Sequence, residues 1–123
     1  MIYYTFTIDP YVWKLPSRLA ESKQYPIRYG RKARLATAVQ LLAWTTYNEQ
    51  NFHKVTTPFI TLHGTTDKVT DPQGSQKLYD SAGSTDKSIK LYDNCYHCLL
   101  TGEDDDTASK IFNDIHEWIS KRV

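Results

Sequence analysis

Two short apolar runs with one helical pattern between them constrain the fold of this chain more than any other feature. The runs cover residues 59–63 and 88–92, and polar residues follow each of them, as is typical of buried strands that end at a surface. Between the runs, Asp71 is suited to the N-cap of a helix and Pro72 to its first position. Strands joined by such a crossover helix pair in parallel. The sequence therefore predicts an α/β fold.

The flanking segments extend this unit. Residues 1–15 have no clear period and are predicted to be an irregular lead-in. A short helix is predicted over 17–23 and an amphipathic helix over 34–48, where Leu35, Val39 and Leu42 recur at helical spacing. An acidic run at 103–106 suits the positive end of a last helix, which completes a βαβα unit. The inner face of that helix is predicted to be Ala108, Ile111, Phe112, Ile115, Trp118 and Ile119.

Charge and cysteine content exclude several classes of function. Fifteen basic and 14 acidic residues give a formal net charge of +1, which offers no electrostatic basis for nucleic-acid binding. No apolar run is long enough to span a bilayer. Two cysteines do not form a disulfide scaffold. We therefore expect a cytoplasmic protein without a transmembrane segment, and peripheral contact with a membrane stays open.

Each strand presents one side chain of a catalytic type just past its carboxyl end. Asp67 follows the first strand and His97 the second, and these ends meet at one edge of a parallel sheet. An acid followed by a histidine is the second half of a hydrolase triad in the order Ser, Asp, His. Asp71 is the rival acid, although Pro72 assigns it to helix capping. The competing interpretation is a turn aspartate and a partly buried loop histidine without a catalytic role.

A second constellation surrounds the same histidine. Cys95 and Cys98 flank His97 in a Cys-x-x-Cys pattern, which is typical of metal or redox chemistry. A zinc site would need a fourth ligand, and His63 at the neighbouring strand end is the candidate. Because a lone Cys-x-x-Cys usually has no partner pair, we favour ordinary loop thiols, with no metal and no cofactor.

Several segments together resemble a known family. Residues 54–72, which include His63-Gly64-Thr65-Thr66-Asp67, closely resemble the plant monoacylglycerol lipase and caffeoylshikimate esterase family. These proteins are α/β-hydrolases of the serine aminopeptidase-like superfamily. The likeness continues through residues 75–79 and 86–92, Tyr96-His97 and 117–119, and covers roughly residues 20–123.

The resemblance implies a fold, a substrate class and two roles. The chain would be the C-terminal part of an α/β-hydrolase, with a remnant of the cap and its return helix at 16–52 and a core segment at 53–123. Asp67 would orient His97, and His97 would act as general base and then as general acid. The candidate substrates are small carboxylic esters or lipids: monoacylglycerols, lysophospholipids or caffeoylshikimate.

The chain also departs from the family pattern. It contains neither the upstream His-Gly oxyanion loop nor a Gly-x-Ser-x-Gly segment, and Arg31-Lys32-Ala33 replaces the family's Gly-Lys-Pro before the cap helix. Residues 1–15 match nothing in the family pattern. Because triad members act as a unit, these residues alone are predicted to have no significant hydrolase activity. The alternative function is a non-catalytic interaction protein that pairs its exposed sheet edge with a paralogue or with itself.

Overall fold

The structure is a computed structural model that describes residues 9–27 and 34–123. The predictions made for Arg31-Lys32-Ala33 and for residues 1–8 lie outside the described residues. The helices and strands follow one another as α1 (Asp9–Val12), α2 (Pro16–Ser22), α3 (Leu35–Asn51), β1 (Phe59–Gly64), α4 (Pro72–Ser81), β2 (Lys87–Tyr92) and α5 (Asp105–Ser120), with a single 3₁₀ turn, Phe52–Lys54, after α3.

The two strands pair in parallel, as the sequence predicted. Their register runs from Phe59 opposite Lys87 to Gly64 opposite Tyr92. Because both strands end at the same edge of the sheet, the loops that carry Asp67 and His97 leave the sheet side by side. The observed architecture is therefore α/β, with α4 as the crossover between the strands.

Side-chain caps determine where α4 and α5 begin. The Asp71 carboxylate accepts a hydrogen bond of 2.9 Å from the Gln73 amide, with Pro72 at the first helical position. The Asp104 carboxylate accepts one of 2.9 Å from the Thr107 amide. Both caps satisfy amide groups that have no partner inside the helix. The capping role predicted for Asp71 is confirmed.

The core lies around α5 and the end of β2. Ile111 is fully buried there beside Tyr92 and Cys95. The Tyr92 hydroxyl donates a hydrogen bond of 2.8 Å to one oxygen of Asp114, and the Lys90 ammonium lies 2.6 Å from the other oxygen. One carboxylate on α5 therefore binds two residues, Lys90 and Tyr92, that lie on the same face of β2. Ile111 is buried as the sequence predicted, whereas Phe112 and Ile119, which were also placed on the inner face of α5, are 61% and 48% exposed.

Two expectations were wrong at the level of local structure. Residues 9–12 form a helical turn, α1, within the lead-in that was predicted to be irregular. Helix α3 forms as predicted, but none of its residues is buried, and Leu35, Val39 and Leu42 are 81%, 54% and 71% exposed. The apolar period is present, yet no described element packs on it. The boundaries predicted at 15/16 and 52/53 stay predictions.

Within residues 9–27 and 34–123, no helix combines the length and the apolar character that crossing a membrane requires.

The burial of Ile111 leads to a prediction for stability. Ile111→Ala removes a fully buried side chain, so the free energy of unfolding should fall by about 2–5 kcal/mol. Ile119→Ala makes the same chemical change on the same helix, at a position that is 48% exposed, and should cost less than about 1 kcal/mol. Urea unfolding of the two variants measures both values. Equal losses would contradict the placement of the core.

Candidate active site

The loops after β1 and β2 are joined by backbone contacts. The Thr65 amide donates to the Tyr92 carbonyl over 2.9 Å, and the Thr66 amide donates to the Cys95 carbonyl over 3.0 Å. At Gly64 the loops approach so closely that a Cβ atom would lie 2.3 Å from the Cys95 carbonyl oxygen. Any larger residue at this position would therefore push the two loops apart. The glycine allows the contact on which the site depends.

Asp67 and His97, the two predicted site residues, are brought together by these loops. Oδ2 of Asp67 lies 2.8 Å from Nδ1 of His97. The Asp67 side chain is 2% exposed, whereas the His97 side chain is 36% exposed. A carboxylate can only accept, so Nδ1 carries the proton and Nε2 of the neutral ring is the basic nitrogen. This is the tautomer that a histidine general base requires.

Hydrogen bonds keep the Asp67 carboxylate ionised. Burial alone raises its pKa, but the hydrogen bonds that it accepts from His97, Thr70 and Val69 outweigh this effect and lower the pKa from 3.8 to about 2. The Val69 and Thr70 amides lie 2.7 and 3.1 Å from Oδ1, and the Thr70 hydroxyl lies 2.8 Å from Oδ2. Asp67 therefore carries a fixed negative charge beside His97 at neutral pH.

His63 is the site residue whose role the sequence did not reveal. Its Nε2 lies 3.0 Å from Oδ2 of Asp67 and 3.2 Å from the Thr70 carbonyl oxygen. Both of these groups accept, so Nε2 carries the proton and Nδ1 accepts the hydroxyl of Ser75 at 2.7 Å. His63 is thus a second imidazole ring in contact with the buried carboxylate. The only signal in the sequence was its position at the strand end, four residues before Asp67.

The metal or redox alternative finds no support in this geometry. Both ring nitrogens of His63 have partners, and no group of three or more potential metal ligands occurs in the described ranges. Cys95 and Cys98 are free thiols, and burial raises the pKa of each of them. A raised pKa disfavours the thiolate on which redox reactivity and metal binding depend.

A small cavity opens over the Asp67–His97 pair. It is lined by Leu62, His63, Gly64, Asp67, Thr70, His97 and Leu99. A larger groove between α3 and α4 reaches His63 and Thr70 but includes neither Asp67 nor His97. Of these two cavities, only the smaller one is lined by both Asp67 and His97.

The lowered pKa of Asp67 predicts that the free energy of unfolding depends on pH. The stabilisation by the ionised carboxylate is complete above about pH 4 and is lost as the pH falls through about 2. Asp67→Asn should therefore lower the free energy of unfolding by about 2 kcal/mol at pH 6, and the difference from the unchanged chain should shrink towards pH 2. Urea unfolding between pH 6 and pH 2.5 measures it.

Asp80→Asn is the matched control for this prediction. Asp80 is exposed on α4 and accepts a hydrogen bond from Gln76 that an asparagine can keep. The free energy of unfolding of Asp80→Asn should equal that of the unchanged chain at every pH. A deficit of Asp67→Asn that stays constant down to pH 2.5 would contradict the assignment of charge to Asp67.

Several proteins are similar to this chain in sequence and in fold. The chain is 44% identical to caffeoylshikimate esterase of Arabidopsis thaliana over 110 residues, which are 89% of this chain and 33% of the esterase. It is 34% identical to the monoglyceride lipase of Homo sapiens over 85 residues, 69% of this chain and 28% of the lipase. The chain thus spans about a third of the length of these relatives.

The structural comparison agrees with the sequence comparison. A crystal structure of a soluble variant of monoglyceride lipase from Saccharomyces cerevisiae, in complex with a substrate analogue, superposes with a TM-score of 0.77 at 28% identity. The superposition covers 97% of this chain and 43% of the lipase. The family likeness also starts earlier than the sequence suggested, because a family profile matches from residue 9 onwards. That profile, serine aminopeptidase S33, matches residues 9–105, and the chain belongs to this family of α/β-hydrolases.

Proposed function

We propose that Asp67 and His97 are the acid–base pair of a carboxylic-ester hydrolase. The observation that carries the proposal is the 2.8 Å contact between Oδ2 of Asp67 and Nδ1 of His97, with the carboxylate buried and the ring partly exposed. In this geometry Nε2 of His97 takes the proton of a serine hydroxyl as the serine attacks the ester carbonyl. Asp67 stabilises the imidazolium that forms, and His97 then protonates the departing alkoxide.

The nucleophile of this reaction must come from outside these 123 residues. None of the serines lies in a Gly-x-Ser-x-Gly segment, since no two of the five glycines are spaced in that way. Ser75, the serine bonded to a site histidine, faces His63 rather than His97. We therefore propose that the 123 residues alone hydrolyse no ester, and that they act when a serine and oxyanion donors are supplied.

The proposed substrates are esters with a small polar alcohol. The names of the two relatives refer to caffeoylshikimate and to monoglycerides. Both compounds contain a carboxylic ester whose alcohol part bears further hydroxyl groups. The 44% identity to the esterase exceeds the 34% identity to the human lipase, which favours a caffeoyl ester over a monoglyceride. Leu62 and Leu99 give the cavity an apolar wall against which an acyl chain or an aromatic acid would pack.

A chimera tests the proposed roles. The C-terminal third of the Arabidopsis esterase, which this chain matches, is replaced by the chain itself, and hydrolysis of caffeoylshikimate and of a monoglyceride is measured. We expect activity in the chimera, and a loss of kcat of about 10⁴-fold in Asp67→Asn and at least as much in His97→Ala. His116→Ala is the control, since His116 is exposed on α5. An active His97→Ala chimera would refute the proposed role.

The chain on its own provides the complementary test. A serine-directed fluorophosphonate should leave the 123-residue chain unlabelled, because the reagent requires an activated serine. The chimera should be labelled, and the label should disappear in His97→Ala. Labelling of the isolated chain would show that one of its own serines is activated.

The exposed edges of the sheet favour a second candidate function. Within residues 9–27 and 34–123, the sheet consists of β1 and β2 alone, so each strand has one edge without a strand neighbour. We propose, as the alternative, that a second copy of this chain pairs with such an edge. Unpaired edges with apolar side chains, such as Leu91 on β2, are templates for strand addition.

Sedimentation equilibrium distinguishes this alternative. Self-association through the edge of β2 should weaken by about tenfold in Leu91→Lys, because a charge at an edge opposes pairing. Leu100→Lys is the matched control, since Leu100 is 46% exposed, against 45% for Leu91, and lies outside the strands. A chain that remains monomeric at high concentration would exclude the alternative.

A further inference from the structure

An ion pair with one buried member, Glu103, contacts the loop that carries His97. The Glu103 side chain is fully buried, and one of its oxygens accepts a hydrogen bond of 2.6 Å from the Tyr96 amide, the residue just before His97. The other oxygen lies 3.2 Å from the Lys14 ammonium and accepts no hydrogen bond within the described part of the chain. Of the acidic run that the sequence placed at the positive end of the last helix, Asp104 caps α5 and Asp105 and Asp106 lie in its first turn, as predicted. Glu103 lies just before the cap, and its carboxylate is bonded to the loop instead.

Lys14 contacts the same loop a second time. Its ammonium donates a hydrogen bond of 2.8 Å to the Asn94 carbonyl. Asn94 has a φ of 56°, the left-handed conformation at which the loop turns away from β2. Lys14 and Glu103 therefore hold the backbone at the two residues 94 and 96 that lead into His97.

The segment around Lys14 continues these contacts on the far side of His97. The Cys98 amide donates to the Val12 carbonyl over 3.0 Å, and the Leu15 amide donates to the Gly102 carbonyl over 3.1 Å. Val12 itself is buried. Residues 12–15 thus lie along the loop that carries His97, and form with it two backbone hydrogen bonds, one side-chain hydrogen bond and one ion pair.

We propose that Lys14 and Glu103 are positioning residues, which hold the loop of His97 so that Nδ1 meets Asp67. The inference rests on the proposed function, in which His97 is the base. The His97 side chain is 36% exposed, so packing covers only part of its ring, and the backbone of residues 94–98 sets the position from which the ring reaches Asp67. A charge-assisted hydrogen bond to the buried Glu103 carboxylate fixes that backbone more strongly than one between neutral groups. The Lys14 ammonium, 3.2 Å from the other oxygen, holds this carboxylate in place.

Nuclear magnetic resonance of the full 123-residue chain tests the proposal at the loop itself. The readouts are hydrogen exchange of the Tyr96 amide and the resonance of the His97 Nδ1 proton, which reports the bond to Asp67. In Lys14→Met we expect exchange at Tyr96 to accelerate by about tenfold or more. We also expect the His97 proton to shift or broaden, while amides of β1 and α4 stay unchanged.

Two further variants make the result decisive. Lys14→Met leaves a buried charge unpaired and can unfold the chain, whereas Lys14→Met with Glu103→Leu removes both charges and keeps the chain folded. The double variant should show the same two changes at Tyr96 and His97. Lys90→Met is the control. It removes the ion pair between Lys90 and Asp114, which lies away from this loop, and it should leave both readouts unchanged.

Two outcomes would overturn the proposal. The first is a folded double variant whose His97 proton is unchanged. The second is a loss of structure that is not confined to the loop, seen either as a change spread evenly over all amides or as unfolding of both variants. Such a loss would assign the ion pair of Lys14 and Glu103 to the stability of the fold. Neither readout requires ester hydrolysis, so failure of the catalytic proposal is recognised separately, by an active His97→Ala chimera.

Discussion

The close approach of two loops at the carboxyl edge of a two-stranded parallel sheet is the constraint on which the rest of the site depends. The register places Gly64 opposite Tyr92, and the loops leave the sheet from these two residues. Without a side chain at Gly64, the Cys95 carbonyl can lie against the backbone of β1 and accept the Thr66 amide. Asp67 and His97, thirty residues apart in the sequence, then meet at 2.8 Å.

Two buried carboxylates stabilise this edge in different ways. Asp67 lies at the sheet edge. Burial raises its pKa, but the hydrogen bonds that it accepts outweigh this effect and lower the pKa to about 2. Glu103 contacts the loop that carries His97, where it accepts one backbone amide and pairs with Lys14. A buried charge without partners costs several kcal/mol, on the order of 3–5 when one member of a pair is removed. Each carboxylate therefore ties several segments of the chain to one point.

The surface of α3 and the composition of the site have a common explanation in the proposed function. Helix α3 forms with a regular apolar period, yet Trp44 and Tyr47 contact each other at its surface, with ring centroids 6.0 Å apart and exposed faces. The chain spans about a third of the length of its relatives. We propose that the rest of such a protein covers the apolar face of α3 and supplies the serine that His97 would serve.

The sequence by itself determined the local elements and the general location of the site. Apolar runs, the cap at Asp71 and the period of α5 are local signals, and each of them predicted its element to within a few residues. Parallel pairing followed from the crossover and brought Asp67 and His97 to one edge. Only the tertiary structure decided the roles of His63 and Glu103 and the exposure of α3. Each of these features depends on the group that packs against it: the acceptors around a histidine ring, the partner of a buried carboxylate, or the element that covers a helix face. Periodicity along the chain carries no information about that partner.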